Sequence, residues 1–415
     1  MILYLAGVIQ AAPTNATTTS EDFEAPSFTN RSLWNIVSGS VLTLFACIYS
    51  AIHPNIPSPK DSPFCILRRR LGIMIVALIA PELVVVWAMR QWISARHVTK
   101  DFKESGYFNV PQSQEQSENY AWTQTHSFFV LMGGFMLYVK GKPYRTLLPD
   151  EVLKLMRNGC IDAPTLTAKQ ICDRSKGNVI SKGLIILQVA WFILQLMSRA
   201  IYHLETTQLE TGTLAFAVLN FLTYALWWNK PLDVQCPYPV YWKSTESKPE
   251  DYIHDVIESQ RTWLQGIIFA AFGPFLELTS IDVPTPKLRV PTFDGSIELD
   301  SDNWILISAG ILIATIFGGI HCMAWFFTFP THEEQVLWRI SAVAITCTPS
   351  LQFLWYVMYD VIGDTLSIVI VAMSISGLLY IASRGMLLVL MFTTLRHLPL
   401  DAYTTVSWIS LVPHL

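Results

Sequence analysis

Glu82 stands in the run ALIAPELVVVW, a carboxylic acid surrounded by apolar residues and placed directly after a proline. An ionised carboxylate is costly in hydrocarbon, so a group in this setting is neutral, paired or used. Held in low dielectric, the carboxyl keeps its proton and is able to donate it. Pro81 removes one backbone donor and frees the carbonyl of Ala77, which predicts a kinked helix at this point. His126, in WTQTHSFFVLMGGF, supplies the complementary group, an imidazole that would hydrogen-bond the acid or act as the final base. Glu82 and His126 are therefore the candidate catalytic pair.

Further polar residues interrupt other apolar runs. Gln195, Arg199, Asn220 and Gln352 fall with Glu82 and His126 in one layer roughly 3–12 Å below the same membrane face, at about 1.5 Å of rise per helical residue. Gln188, Trp191, Gln195 and Arg199 recur at spacings of three and four, so they share a helical face that should look into a bundle. Gln195, Arg199, Asn220, Trp191 and Tyr224 are the candidate substrate-binding residues, the aromatic faces serving to stabilise a cationic intermediate. The plain alternative is interhelical hydrogen bonding, with each bond contributing about 1 kcal/mol. No phosphate-binding glycine loop, His-Glu-x-x-His or Cys-x-x-Cys motif is present. Asp360 and Asp364 have a spacing found in metal–diphosphate sites, but two acids in a short turn more often form a solvated hairpin. His321, beside Cys322, reads as a packing or interfacial residue. No metal and no cofactor is expected.

The elements that carry these residues follow from composition. Of 415 residues, 52% are hydrophobic and 14% charged, with a mean hydropathy of +0.37. Soluble domains carry about 25% charge. The net charge of −4 gives no footprint for nucleic acid, and the apolar content excludes a disordered chain. Crossing a bilayer takes about 20 apolar residues in a helix. Nine segments meet this: 33–53, 71–89, 121–139, 183–201, 212–228, 263–278, 304–327, 340–359 and 366–384, the last able to continue towards Leu395. The expected fold is an all-α, nine-span transmembrane bundle over residues 33–400.

Most of the 28 Lys/Arg fall in loops that share one side if the N-terminus is lumenal and the C-terminus cytoplasmic. The glycosylation sequons at Asn15 and Asn30 precede the first span, on the lumenal side in that arrangement. The segment 1–32 then forms a lumenal tail, with 1–12 a possible signal sequence, and 401–415 a cytoplasmic tail. No disulfide is expected, because no Cys falls in a lumenal loop. The stretch 148–157 reads as an amphipathic helix lying on the bilayer. Gly133-Gly134 would allow close helix approach.

The motifs ALIAPE (77–82), THSFFVLMGGF (125–135), DRSKGNVISKG (173–183), TLAFAVLNFLTYALWWNKPLDVQCP (213–237) and LRHLPLDAYTTVSWISLVPHL (395–415) resemble a large group of uncharacterised multi-pass membrane proteins of filamentous and mushroom-forming fungi. That resemblance covers most of residues 33–415 and implies a fungal source and a membrane location, without any chemistry. A looser similarity of architecture is to fungal membrane-bound terpene cyclases. The leading expectation is a membrane enzyme, a cyclase or isomerase acting on an isoprenoid-like, lipid-soluble substrate with Glu82 as general acid. The alternatives are a proton-coupled transporter using the same polar layer, and a receptor or scaffold. The expected partners are the lipid bilayer and a hydrophobic small molecule, in the endoplasmic reticulum or plasma membrane.

Overall fold

Two prolines set the first irregularity of the chain. Pro63 opens one helix with Ser62 as its N-cap, and Pro81 opens the next, so the apolar segment 71–89 is not one kinked span but two helices meeting at 113°. Proline is accommodated at the first helical position because the donor it lacks would have no intrahelical partner there. The computed structural model describes residues 28–108, 121–175, 179–243, 249, 287–293, 303–362 and 366–406. The expected segments 1–12 and 263–278, the sequon at Asn15 and Asp364 lie outside the described residues.

In chain order the described elements are β1 (Phe28–Asn30), α1 (Leu33–Ala51), α2 (Pro63–Ile79), α3 (Pro81–Glu104), α4 (Gln124–Leu131), β2 (Phe135–Val139), β3 (Lys142–Thr146), α5 (Pro149–Arg157), α6 (Ala168–Arg174), α7 (Val179–Ile201), α8 (Gln208–Leu226), β4 (Tyr238–Tyr241), α9 (Asn303–Cys322), α10 (His332–Ile362), α11 (Leu366–Thr393) and β5 (Thr404–Val406). Helices α1, α7, α8, α9 and α11 are long and apolar enough to cross a membrane, and α2–α3 makes a sixth if that pair is taken as one span. Helix α8 is central: 67% of its apolar window is buried, against 22–33% for the other four. It packs on α1, α3 and α9. The outer helices expose Phe45, Leu187, Met197, Val371 and Ile375, as lipid-facing surfaces do.

Strands β1 and β5 pair antiparallel, with Asn30 opposite Thr404. Arg31 donates from Nε to the carbonyl of Ala402 (2.7 Å) and bridges Glu210 at the start of α8 (2.5 Å). Residues 28–31 and 401–406 thus lie side by side at one end of the bundle, which overturns the expectation that they face opposite sides of a membrane. At the other end Arg70 meets Asp233 (3.4 Å), Asn55 donates to the carbonyl of Pro291 (2.7 Å) and Arg90 to that of Phe293 (2.6 Å). Both α2 and α3 have their outer ends here, so the pair enters the bundle and returns, with Ala80 to Glu82 at its tip.

The segment 121–139, expected to be the third span, is also not one. Helix α4 has eight residues and ends at Leu131, two residues before Gly133, where φ is 89°. A Cβ on Gly134 would meet the Phe129 ring at 2.2 Å, so the glycine pair turns the chain sharply into β2. Lys140 and Gly141, both at positive φ, make the tight hairpin to β3, and β4 adds to β2 in parallel. The order β3-β2-β4 gives a small sheet, so the chain is mainly helical rather than all-α. Helix α5 follows, its first turn closed by the Leu148 amide donating to Glu151 Oε2 (2.9 Å). Val152 and Leu155 on it are fully buried against this subdomain, so its apolar face packs on protein and not on a bilayer.

Candidate functional site

The tip of the re-entrant pair is a backbone problem first. With Pro81 breaking the ladder, the carbonyls of Leu78 and Ile79 lose their helical donors. Arg384, fully buried on α11, supplies replacements: Nε donates to Ile79 O (3.1 Å) and Nη2 to Leu78 O (3.3 Å). Its Nη1 lies 3.2 Å from His321 Nε2. His321 Nδ1 lies 2.9 Å from the carbonyl of Phe317, so Nδ1 carries the proton and Nε2 accepts from the guanidinium. The rings of Phe216 and Phe317 flank the guanidinium carbon at 5.0 and 4.5 Å. Arg384 is an internal brace, and His321, expected to be a packing or interfacial residue, is part of it.

Glu82 sits in the first turn of α3, where the helix dipole favours negative charge, and is 6% exposed. Tyr380, one turn before Arg384 on α11, donates its hydroxyl to Glu82 Oε1 (2.5 Å). The second carboxyl oxygen, Oε2, is buried and has no hydrogen-bond partner among the described residues. Glu82, Tyr380, Arg384 and His321 therefore form one polar cluster inside the bundle, contributed by α3, α11 and α9.

His126 does not belong to it. The Thr123 amide donates to its Nδ1 (3.1 Å), and its Nε2 donates to the carbonyl of Leu166 (2.8 Å). Its neighbour Ser127 bonds Thr99, 17 residues along α3 from Glu82 and thus about 25 Å further on. Both ring nitrogens are used within the small subdomain, where burial lowers the imidazole's proton affinity below its usual value. The pair expected from sequence is separated because the third segment is a short helix and a strand.

Arg199 also has its donors spent. Its guanidinium reaches the carbonyls of Thr404 (2.6 Å), Asp401 (3.0 Å) and Glu205, clamping the segment before β5 to the end of α7. Gln188 donates to Thr43 on α1 (3.1 Å), but Trp191 is 40% exposed, so the four-residue stripe does not all face inward. Gln195 is half-buried, its backbone carbonyl accepting from Ser198 (2.8 Å). Asn220 is buried on α8 and accepts from Ser50 Oγ (3.3 Å), and Tyr224 stands edge-on to His53 and Trp228. Asn30 is exposed in β1.

Sequence reasoning missed a second cluster. Lys230, 1% exposed, donates to His53 O (2.7 Å) and Gln91 Oε1 (2.8 Å), with Trp227 and Trp87 at 4.4 and 4.9 Å from its ammonium. Burial pushes its proton affinity well down. It ties α1, α3 and α8 together. The signal was a lysine two residues after the tryptophan pair, which reads equally well as an interfacial anchor. No group of three or more metal-ligating side chains converges among the described residues.

The apolar helices and the buried charges braced between them define a mainly helical membrane protein. Within that class, the chain belongs to the family of unknown function DUF8562, whose model matches residues 1–254. No curated protein and no solved structure matches the chain.

Proposed function

We propose that this protein is a membrane enzyme that rearranges a lipid-soluble, isoprenoid-like substrate by proton transfer from Glu82. The observation that carries the reading is the asymmetry of that carboxyl, with Oε1 taken by Tyr380 and Oε2 buried without a partner. The proton resides on Oε2. It passes to an alkene carbon, so the O–H bond breaks, a C–H bond forms and a carbocation and carboxylate result. Arg384 favours that carboxylate electrostatically. A C–H next to the cation returns its proton to the same carboxylate, closing an isomerisation or cyclisation with no co-reactant. Glu82 thus takes both the acid and the base role, and His126 takes none.

Glu82→Gln tests this in a heterologous host by metabolite profiling. Loss of product with normal membrane levels is the expected result, and unchanged product would refute it. A second reading, proton-coupled transport, is favoured by the re-entrant pair with a carboxyl at its tip, since broken helices commonly carry transporter sites. Uptake by proteoliposomes that collapses with the proton gradient, without product formation, would select it.

The placement goes with the reading. The end opposite β1 and β5 carries Arg68, Arg69, Arg70, Lys100, Lys103, Lys140, Lys142 and Arg157, whereas the β1/β5 end carries Arg31, Arg199, Arg339 and Arg396. The cytoplasm faces the first of these ends. The β1/β5 end is lumenal, with Asn30 as a glycosylation acceptor, in a secretory-pathway membrane of a fungal cell.

A further inference from the structure

Between α7 and α8 a groove of about 190 Å³ opens towards the lipid face. Ile185, Val189, Phe221 and Trp228 make it apolar, and Asn220 and Tyr224 bring its polar atoms. Asn220 is 7% exposed, and its one hydrogen bond among the described residues is the one its Oδ1 accepts from Ser50. The amide NH2 is therefore left to donate. Asn220 also lines a second, narrower crevice with Cys47, Ala77, Pro81, Val84 and Thr223. The two spaces share this side chain, and the crevice is lined by Pro81, the residue before the acid.

We infer that the groove is a lateral binding site for an oxygenated isoprenoid, a prenyl or sterol-like molecule whose hydroxyl or carbonyl oxygen accepts from Asn220. The inference deepens the reading of Glu82 as a proton donor and rests on it for the reaction, though not for binding. Depth selects the ligand class. Asn220 is six residues from the end of α8, about 9 Å inside the hydrocarbon core. Drawing a ligand's oxygen to this depth strips its water, which costs least for a single neutral hydroxyl or carbonyl and far more for a phosphate or carboxylate headgroup, so the ligand is a molecule that is otherwise hydrocarbon. Volume agrees. Pockets that enclose a whole drug-sized ligand hold about 300–1,000 Å³. This groove takes the oxygen-bearing segment, and the remaining chain lies in lipid. Aromatic and branched aliphatic walls suit a methyl-branched chain.

The experiment uses the full chain in nanodiscs with a diazirine-bearing farnesol analogue, and a diazirine-bearing palmitate as control. The farnesol probe should label peptides covering 185–189 and 220–228. Ala225→Trp, which fills the groove from an exposed position, should abolish that labelling. Asn220→Leu should weaken it about tenfold, the worth of one hydrogen bond of a little over 1 kcal/mol. Labelling unchanged in Ala225→Trp, or equal labelling by palmitate that Asn220→Leu does not alter, would overturn the inference and mark binding as adventitious lipid contact. Glu82→Gln separates the two ideas. Retained labelling in that variant supports the groove whether or not product is lost, whereas retained product removes the acid alone.

Discussion

A single hydroxyl decides how the central carboxyl is presented. Tyr380 holds Oε1 and leaves Oε2 without a partner among the described residues. Tyr380→Phe deletes that donor and orphans both oxygens, which should lower thermal stability by about 1–3 kcal/mol. Turnover should fall in Tyr380→Phe without disappearing, because the acid itself remains. Full activity together with unchanged stability would contradict the contact. His126 is read by a pH scan. Its imidazole has less proton affinity in the fold than in the unfolded chain, so the unfolded state binds more protons once pH falls below about 6.5. Stability of the subdomain should therefore drop between pH 7 and 5, because protonating Nδ1 also loses the bond from Thr123. Hydrogen exchange at residues 121–131 would report the drop, and His126→Asn should flatten it. An unchanged pH profile in that variant would rule the imidazole out.

Among the elements, the re-entrant pair matters most, and α11 is its support. Arg384→Leu would leave the carbonyls of Leu78 and Ile79 and the His321 acceptor without donors, at about 1–3 kcal/mol each. The variant should melt well below the parent in detergent. Arg384→Lys should rescue little, because an ammonium lacks the planar fork that spans these acceptors. A melting point equal to the parent's for Arg384→Leu would contradict the brace. This scale also shows what was legible in the sequence. The apolar runs behind α1, α7, α8, α9 and α11 read directly, as did the extension of the last helix to Thr393, since each carries its own signal. Pro81 was visible, but a proline marks a kink and a chain reversal alike. Gly133-Gly134 signalled a close approach, yet only the collision of a Cβ with Phe129 makes it a turn. The partnership of Glu82 with Tyr380 spans 298 residues and left no local pattern.

For the whole molecule, the pairing of β1 with β5 ties both ends of the described chain to one face of the bundle. Counting segments gave nine spans in part because 71–89 and 121–139 have span-like composition, whereas the first is a bent helix pair and the second a short helix and a strand of a subdomain with a sheet. A glycosylation acceptor placed after Val406 should be modified together with Asn30, while Cys172 should react with an impermeant thiol reagent only from the opposite face. Modification at one end only would break the pairing. Membrane placement and chemistry converge at the tip of α2–α3, where the carboxyl is enclosed by α11. The most direct test is infrared difference spectroscopy of the full chain in lipid, comparing the parent with Glu82→Gln. The account predicts a protonated-carboxyl stretch that vanishes in the variant and moves in Tyr380→Phe. A parent spectrum without that band, or one that survives in Glu82→Gln, would contradict it.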